Sequence, residues 1–218
     1  MRSECRSASL QKENYMSAFL GPIHYWVYHK IELQEEFVKD ILELSATRSW
    51  DNDLEQKLSE KYGTIGTEPL EDIIDTGNIH GWLQSKLSVT EGRLALAVTE
   101  LLAQDAGRKD ILVQTAYEFG KKHGISNEAD AEKAFQAISD SLIDGMPCDG
   151  VNELLEQGKA YTSWQQTVCV HSQYWEQVQG SIEIYYELRK AIIKGMLSRT
   201  DLEFIVKPDD IYELIQRN

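Results

Sequence analysis

Gly21-Pro22-Ile23-His24-Tyr25-Trp26 and Gly77-Asn78-Ile79-His80-Gly81-Trp82 are two versions of one phrase, each followed at matching distances by a lysine (Lys30, Lys86) and a glutamate (Glu35, Glu91). With 5 His and 5 Trp in 218 residues, two copies of His-x-Trp in like surroundings point to a repeated structural unit. Pro22 suits the first turn of a helix, and from it Ile23, Trp26, Val27, Ile31, Leu33, Phe37, Val38, Ile41, Leu42 and Leu44 recur at helical spacing to about Thr47. From Asn78, the positions Ile79, Trp82, Leu83, Leu87, Leu94, Val98, Leu101 and Leu102 predict a second long helix, closed near Gly107 and weakest at Gly92.

These two helices set the expected class: mainly α, a helical bundle with an internally duplicated long-helix unit and a small α+β C-terminal part. The repeat occupies 21–46 and 77–102 of a helical domain over 12–146, with a tail over 147–218 packed on it. Between the copies, Asp51 can cap a short helix through Leu54 and Leu58 ended by Gly63, and Thr67-Glu68-Pro69 opens a turn through Ile74. That short helix can carry the chain back, so both long helices start at the same end. Helices over 110–122 and 127–143 complete the set. In the tail, Ala160 to Val170 is rich in β-branched and aromatic residues and predicts a strand. Tyr174 to Leu197 predicts a helix, Leu202 to Val206 a second strand paired with the first, and Asp209 caps a last helix to Gln216.

A net charge of -14 argues against nucleic acid and anionic membrane as partners, since binders of either carry a basic face. No apolar run approaches the roughly 18 residues of a membrane span. Arg2 and Arg6 precede only short apolar stretches, which is not the pattern of a secretory signal. Three cysteines (Cys5, Cys148, Cys169) cannot close a disulfide framework, and the odd number fits a reducing, cytoplasmic setting. A small-molecule ligand and a homo-oligomer both stay open.

On a helix, Tyr28, Ile31 and Glu35 lie within about 40° of His24, and Gln84, Leu87 and Glu91 repeat the stripe below His80. A first-turn histidine feels the positive end of the helix dipole, which favours neutral imidazole, the form that ligates metals. His24 and His80, with Glu35 and Glu91 as supplements, therefore form a candidate site for a transition metal or haem, flanked by Trp26 and Trp82 as core residues or a cofactor platform. A duplicated packing motif explains the same residues, because no His-x-x-x-His or Cys-x-x-Cys spacing is present.

Cys169-Val170-His171 is the second constellation: on a strand, Cys169 and His171 would share a face about 7 Å apart, as two ligands or two walls of one pocket. The aromatic residues Tyr161, Trp164, Tyr174, Trp175, Tyr185 and Tyr186 form the core of the tail or line a ligand cavity. Thr167-Val168-Cys169-Val170-His171 with Tyr174-Trp175, followed by a helix and a closing strand, resembles the C-terminal part of L-2-amino-thiazoline-4-carboxylate hydrolase-like proteins over under a third of the chain. The resemblance implies cysteine-dependent hydrolysis of a small acidic heterocycle, with Cys169 carried over. Leu188-Arg189 stands where such proteins typically show a further cysteine and an acidic residue. Metal or cofactor binding, a cysteine-dependent hydrolase using Cys169 and His171, and a non-catalytic helical binding or dimerisation module are thus the three functions in play.

Overall fold

The computed structural model describes residues 19–66 and 68–217; the start of the expected helical domain (12–18), Cys5, Arg2, Arg6 and the turn residue Thr67 lie outside the described residues. Among the described residues, eight α-helices and four strands follow in the order α1 (Pro22–Thr47), α2 (Leu54–Tyr62), α3 (Leu70–Ile73), α4 (Ile79–Gln104), α5 (Lys109–Lys122), α6 (Ala131–Ser141), β1 (Asn152–Glu156), β2 (Tyr161–Gln166), α7 (Ser172–Gln177), α8 (Ile182–Met196), β3 (Leu202–Val206) and β4 (Ile211–Gln216). The chain is mainly α with a small α+β C-terminal part. Among the described residues, no helix is long and apolar enough to cross a membrane.

Both long helices begin where the sequence places them. Gly21 is extended before Pro22, and the Asn78 side chain accepts a hydrogen bond from Gly81 N at 3.1 Å, satisfying one of the free donors of the first turn. His24 lies against His80 at one end, and Glu35 against Arg93 further along, so α1 and α4 run side by side in the same direction with α2 returning the chain between them. From Thr90 to Val98 every residue of α4 is buried. A helix surrounded on all sides shows little amphipathic pattern, and α4 is the central post of the bundle.

The closest packing joins α5 to α8. A Cβ on Gly120 would sit 2.1 Å from Ile192 O, and one on Gly195 would sit 2.1 Å from Tyr117 O. The two backbones touch with no side chain between them, and that contact ties the C-terminal helix into the bundle core.

The sheet is antiparallel throughout, in the order β1-β2-β4-β3. Residues 209–216, expected as a helix, instead form the turn and β4. Asp209 and Asp210 are both left-handed, at φ 60 and 54, and Lys207 N donates to Ile211 O at 2.8 Å, which closes a hairpin where the sequence suggested a helix cap. β4 takes the place between the two strands expected to pair with each other: Trp164 faces Tyr212, and Phe204 faces Leu214. The helix expected over 174–197 breaks into α7 and α8 at Gln179, where φ is 57. β1 was not foreseen in the sequence; it is an exposed edge strand with an irregular register between Leu154 and Glu156. Trp164, Phe204, Tyr212 and Leu214 form the inner face of the sheet, covered by Phe135 of α6, whose ring lies 4.9 Å from Trp164, and by α8.

Candidate functional site

His24 and His80 do meet, with Nε2 to Nε2 at 3.3 Å. Gly21 N donates to His24 Nδ1 at 3.0 Å, so His24 reaches back to the start of its own helix as the third residue of a capping box does. With Nδ1 accepting, the ring proton of neutral His24 sits on Nε2 and points at His80. Burial first, and the His80 charge second, lower the pKa of His24 and keep it neutral. Trp26 donates to Asp140 Oδ1 at 2.8 Å and Trp82 packs 5.7 Å from Tyr28, so both tryptophans are engaged in packing.

The glutamates do not join the histidines. Glu35, 4% exposed, is held by Arg93: the guanidinium Nε donates to its two oxygens at 3.0 and 3.1 Å, and Nη2 approaches at 2.8 Å. Arg93 Nη1 also donates to Gly63 O at 2.9 Å, which locks the end of α2 to the central helix. Glu91, 1% exposed, meets His171 instead, Oε1 to Nδ1 at 3.1 Å. Among the described residues, no group of three or more His, Cys, Asp or Glu is placed to hold a metal ion.

His171 and Cys169 have different surroundings. β2 ends at Gln166, so the pair is not on a strand. His171, 1% exposed, is wedged between Glu91 and Tyr185, with its Nε2 3.0 Å from the Tyr185 hydroxyl. Cys169 is exposed and accepts a hydrogen bond from the Tyr186 hydroxyl at 3.2 Å. Consecutive residues on a helix point about 100° apart, so Tyr185 faces inward to the histidine while Tyr186 faces outward to the thiol. Burial pushes the Tyr185 hydroxyl well above its ordinary pKa; for Tyr186, burial and then the Cys169 contact do the same.

Behind Tyr185 the polar contacts continue. Arg189 Nη1 donates to the Tyr185 hydroxyl at 3.2 Å and to Ile143 O at 2.9 Å, while Nη2 grips Asp144 at 2.7 and 2.9 Å. Arg189 also forms one wall of a cleft of about 320 Å³ between α8 and strands β3 and β4. Phe204 and Tyr212 line this cleft with rings parallel to within 1°, 5.9 Å apart, and Tyr186 and Lys190 line the helix side. Gln166 connects the cleft to the thiol: Tyr212 donates to its oxygen at 3.4 Å, and its nitrogen donates to the Tyr186 hydroxyl at 2.8 Å.

Of these residues, the sequence singled out Cys169, His171, Glu91 and the tyrosines of α8. It gave no sign of Arg93, Asp144, Gln166 or Tyr212, which are polar or aromatic residues without a motif around them. Lys30, the lysine of the first copy of the phrase, lies over Trp26, its ammonium 3.5 Å from the ring centre. The surprise is its burial, 5% exposed, which lowers its pKa to about 8 against the opposing pull of Asp144. No family model, curated protein or solved structure matches the chain.

Proposed function

We propose that this protein binds a small planar organic molecule in the cleft between α8 and the sheet, beside the Cys169 thiol. The observation that carries the reading is the parallel pair Phe204 and Tyr212 in a cleft of about 320 Å³, an aromatic surface within the size range of small-molecule sites. Lys190, whose ammonium is in no ion pair among the described residues, supplies a positive charge at the wall, and Asp210 and Glu183 supply negative ones. If the protein is an enzyme, the candidate nucleophile is Cys169, joined to the cleft wall through the Tyr186 hydroxyl, in line with the hydrolase resemblance. His171 is then unavailable as its base, being engaged on both nitrogens elsewhere.

The test uses 2-naphthoate and indole as planar probes, followed by NMR and fluorescence. Shifts confined to Phe204, Tyr212 and Tyr186, slower alkylation of Cys169 with probe bound, and loss of both in Tyr212→Ala are expected. Absence of any shift at these rings with either probe rejects the reading.

The second reading is metal or cofactor binding at the paired helix starts. It is favoured by the 3.3 Å between the two Nε2 atoms, because two nitrogens about 2.0–2.1 Å from one tetrahedral zinc stand about 3.3 Å apart. It requires His24 to give up its Nε2 proton while Nδ1 still accepts from Gly21, whereas a ligating histidine usually donates from its second nitrogen. Near-stoichiometric metal in purified protein, lost in the His24→Ala, His80→Ala double variant, is the expected result; clean elemental analysis from metal-replete medium removes this reading.

A further inference from the structure

We infer that Glu91, His171 and Tyr185 are positioning residues for the cleft, acting through Arg189 as a one-directional hydrogen-bond chain; this rests on the reading of the cleft as a ligand site. The direction follows from which atoms carry protons. Arginine only donates, so the Tyr185 oxygen accepts from Arg189 Nη1. A carboxylate only accepts, so His171 Nδ1 carries the ring proton and donates to Glu91 Oε1. His171 Nε2 is then bare, and the Tyr185 proton goes to it. Every contact is satisfied in this one arrangement: Arg189 to Tyr185 to His171 to Glu91. With His171 doubly protonated, the Tyr185 proton would be left without an acceptor among the described residues.

The chain spans three separate elements, α4, the segment before α7, and α8, and its members Glu91, His171 and Tyr185 are all buried. Its outer end is the only part that reaches the cleft. Arg189, 14% exposed at its side chain, has both terminal nitrogens committed, to Tyr185, Ile143 and Asp144, so its guanidinium plane is fixed on two sides. Only its Nε–H has no partner among the described residues. A guanidinium held this way presents a rigid flat face and one donor to a ligand, instead of a mobile charge. The Glu91 Oε2 atom, buried and without a partner among the described residues, marks the far end of the chain.

The experiment uses the full chain with 2-naphthoate and indole, and compares Arg189→Lys, Tyr185→Phe and His171→Asn. Asparagine keeps a donor near Glu91 but loses the acceptor for Tyr185, and phenylalanine keeps the ring while removing the link. Two quantities are read: the probe dissociation constant and the rotation and exchange of the Arg189 guanidinium protons by NMR. Both Tyr185→Phe and His171→Asn should weaken the better-binding probe about three- to tenfold, the loss of one hydrogen bond's worth of placement, and should release the guanidinium to faster exchange with the melting transition still cooperative. Arg189→Lys should weaken it at least as much. If Arg189→Lys weakens the probe and the other two leave affinity and exchange as in the wild type, the chain is only packing and the inference is overturned while the cleft stands. If neither probe touches the cleft in the wild type, the ligand reading falls and the inference with it.

Discussion

Glu35 and Glu91 hold the same place in the two copies of the repeated phrase, and both are buried, yet they live in different chemistry. Glu35 on α1 is neutralised by Arg93, a direct ion pair from the neighbouring parallel helix with a backbone carbonyl sharing the guanidinium. Glu91 on α4 faces the opposite way, toward the C-terminal part, and its partner is His171, eighty residues on in the chain. Parallel helices of one pattern place equivalent residues at equivalent heights. What each residue then meets depends on the rest of the chain, and only α4 is enclosed on all sides. The lysines diverge in the same way: Lys30 is buried over Trp26, while Lys86 lies 5.3 Å from Trp82 and stays half-buried.

The comparison breaks most visibly at Arg93. Arg93→Met strands the Glu35 carboxylate in the core and is expected to cost about 3–5 kcal/mol in urea unfolding. A cost under about 1 kcal/mol would mean Glu35 has another route to solvent. Lys30→Met comes next. In the unfolded chain this lysine holds its proton to about pH 10.5, in the folded protein only to about 8, so its burial penalty is full below pH 8 and fades as the pH rises to 10.5. After allowing for the lost contact with the Trp26 ring, the variant should gain about 2 kcal/mol over wild type at pH 7, and the gain should vanish near pH 10.5. The equivalent Lys86→Met should shift stability by less than about 0.5 kcal/mol, measured side by side.

Glu91→Gln should cost about 1 kcal/mol, because the amide oxygen still accepts from His171 Nδ1. The smallest effect lies at the histidines. The folded pKa of His24 is lowered, so its contribution to stability is present above pH 6.5 and is lost as the pH falls through that lowered value. His80→Ala removes the second of the two causes and leaves burial. The His24 ring signal should then titrate at higher pH than in wild type, with a smaller acid loss of stability.

Much of the helical half is legible in the sequence because its determinants are local. Pro22, Asn78 and the spacing of Ile31, Phe37, Leu87 and Leu94 fix where α1 and α4 start and which faces they bury, and the short α2 already implies their parallel course. The meeting of His24 and His80 follows from that. The tail reads less well. Ile211-Tyr212-Glu213-Leu214-Ile215 has the apolar spacing of a helix turn as much as of a strand, and only the left-handed pair Asp209 and Asp210, which nothing local requires, turns it into a hairpin. Cys169 and His171 look like partners two residues apart, yet the chain leaves the strand at Gln166 and the helix beyond them separates one from the other through Tyr186 and Tyr185. Glu91 meets His171 and Arg189 meets Asp144 across long stretches of chain, so no window of sequence contains both members of either pair.

The bare backbone contact between Gly120 and Gly195 has a mechanical consequence for the wall of the cleft. Close backbone packing over Tyr117–Lys121 and Ile192–Gly195, with Ile125 N donating to Met196 O at 2.8 Å just beyond, anchors this end of α8. Arg189 lies six residues up α8 from Gly195, roughly 9 Å along the axis, and Ile182 about 20 Å, so a tilt of ~5° carries the guanidinium under about 1 Å and the far end of the helix about twice as far. The part of the helix that meets Asp144 thus lies nearer the fixed contact, and any tilt would displace mainly the mouth of the cleft beside Glu183.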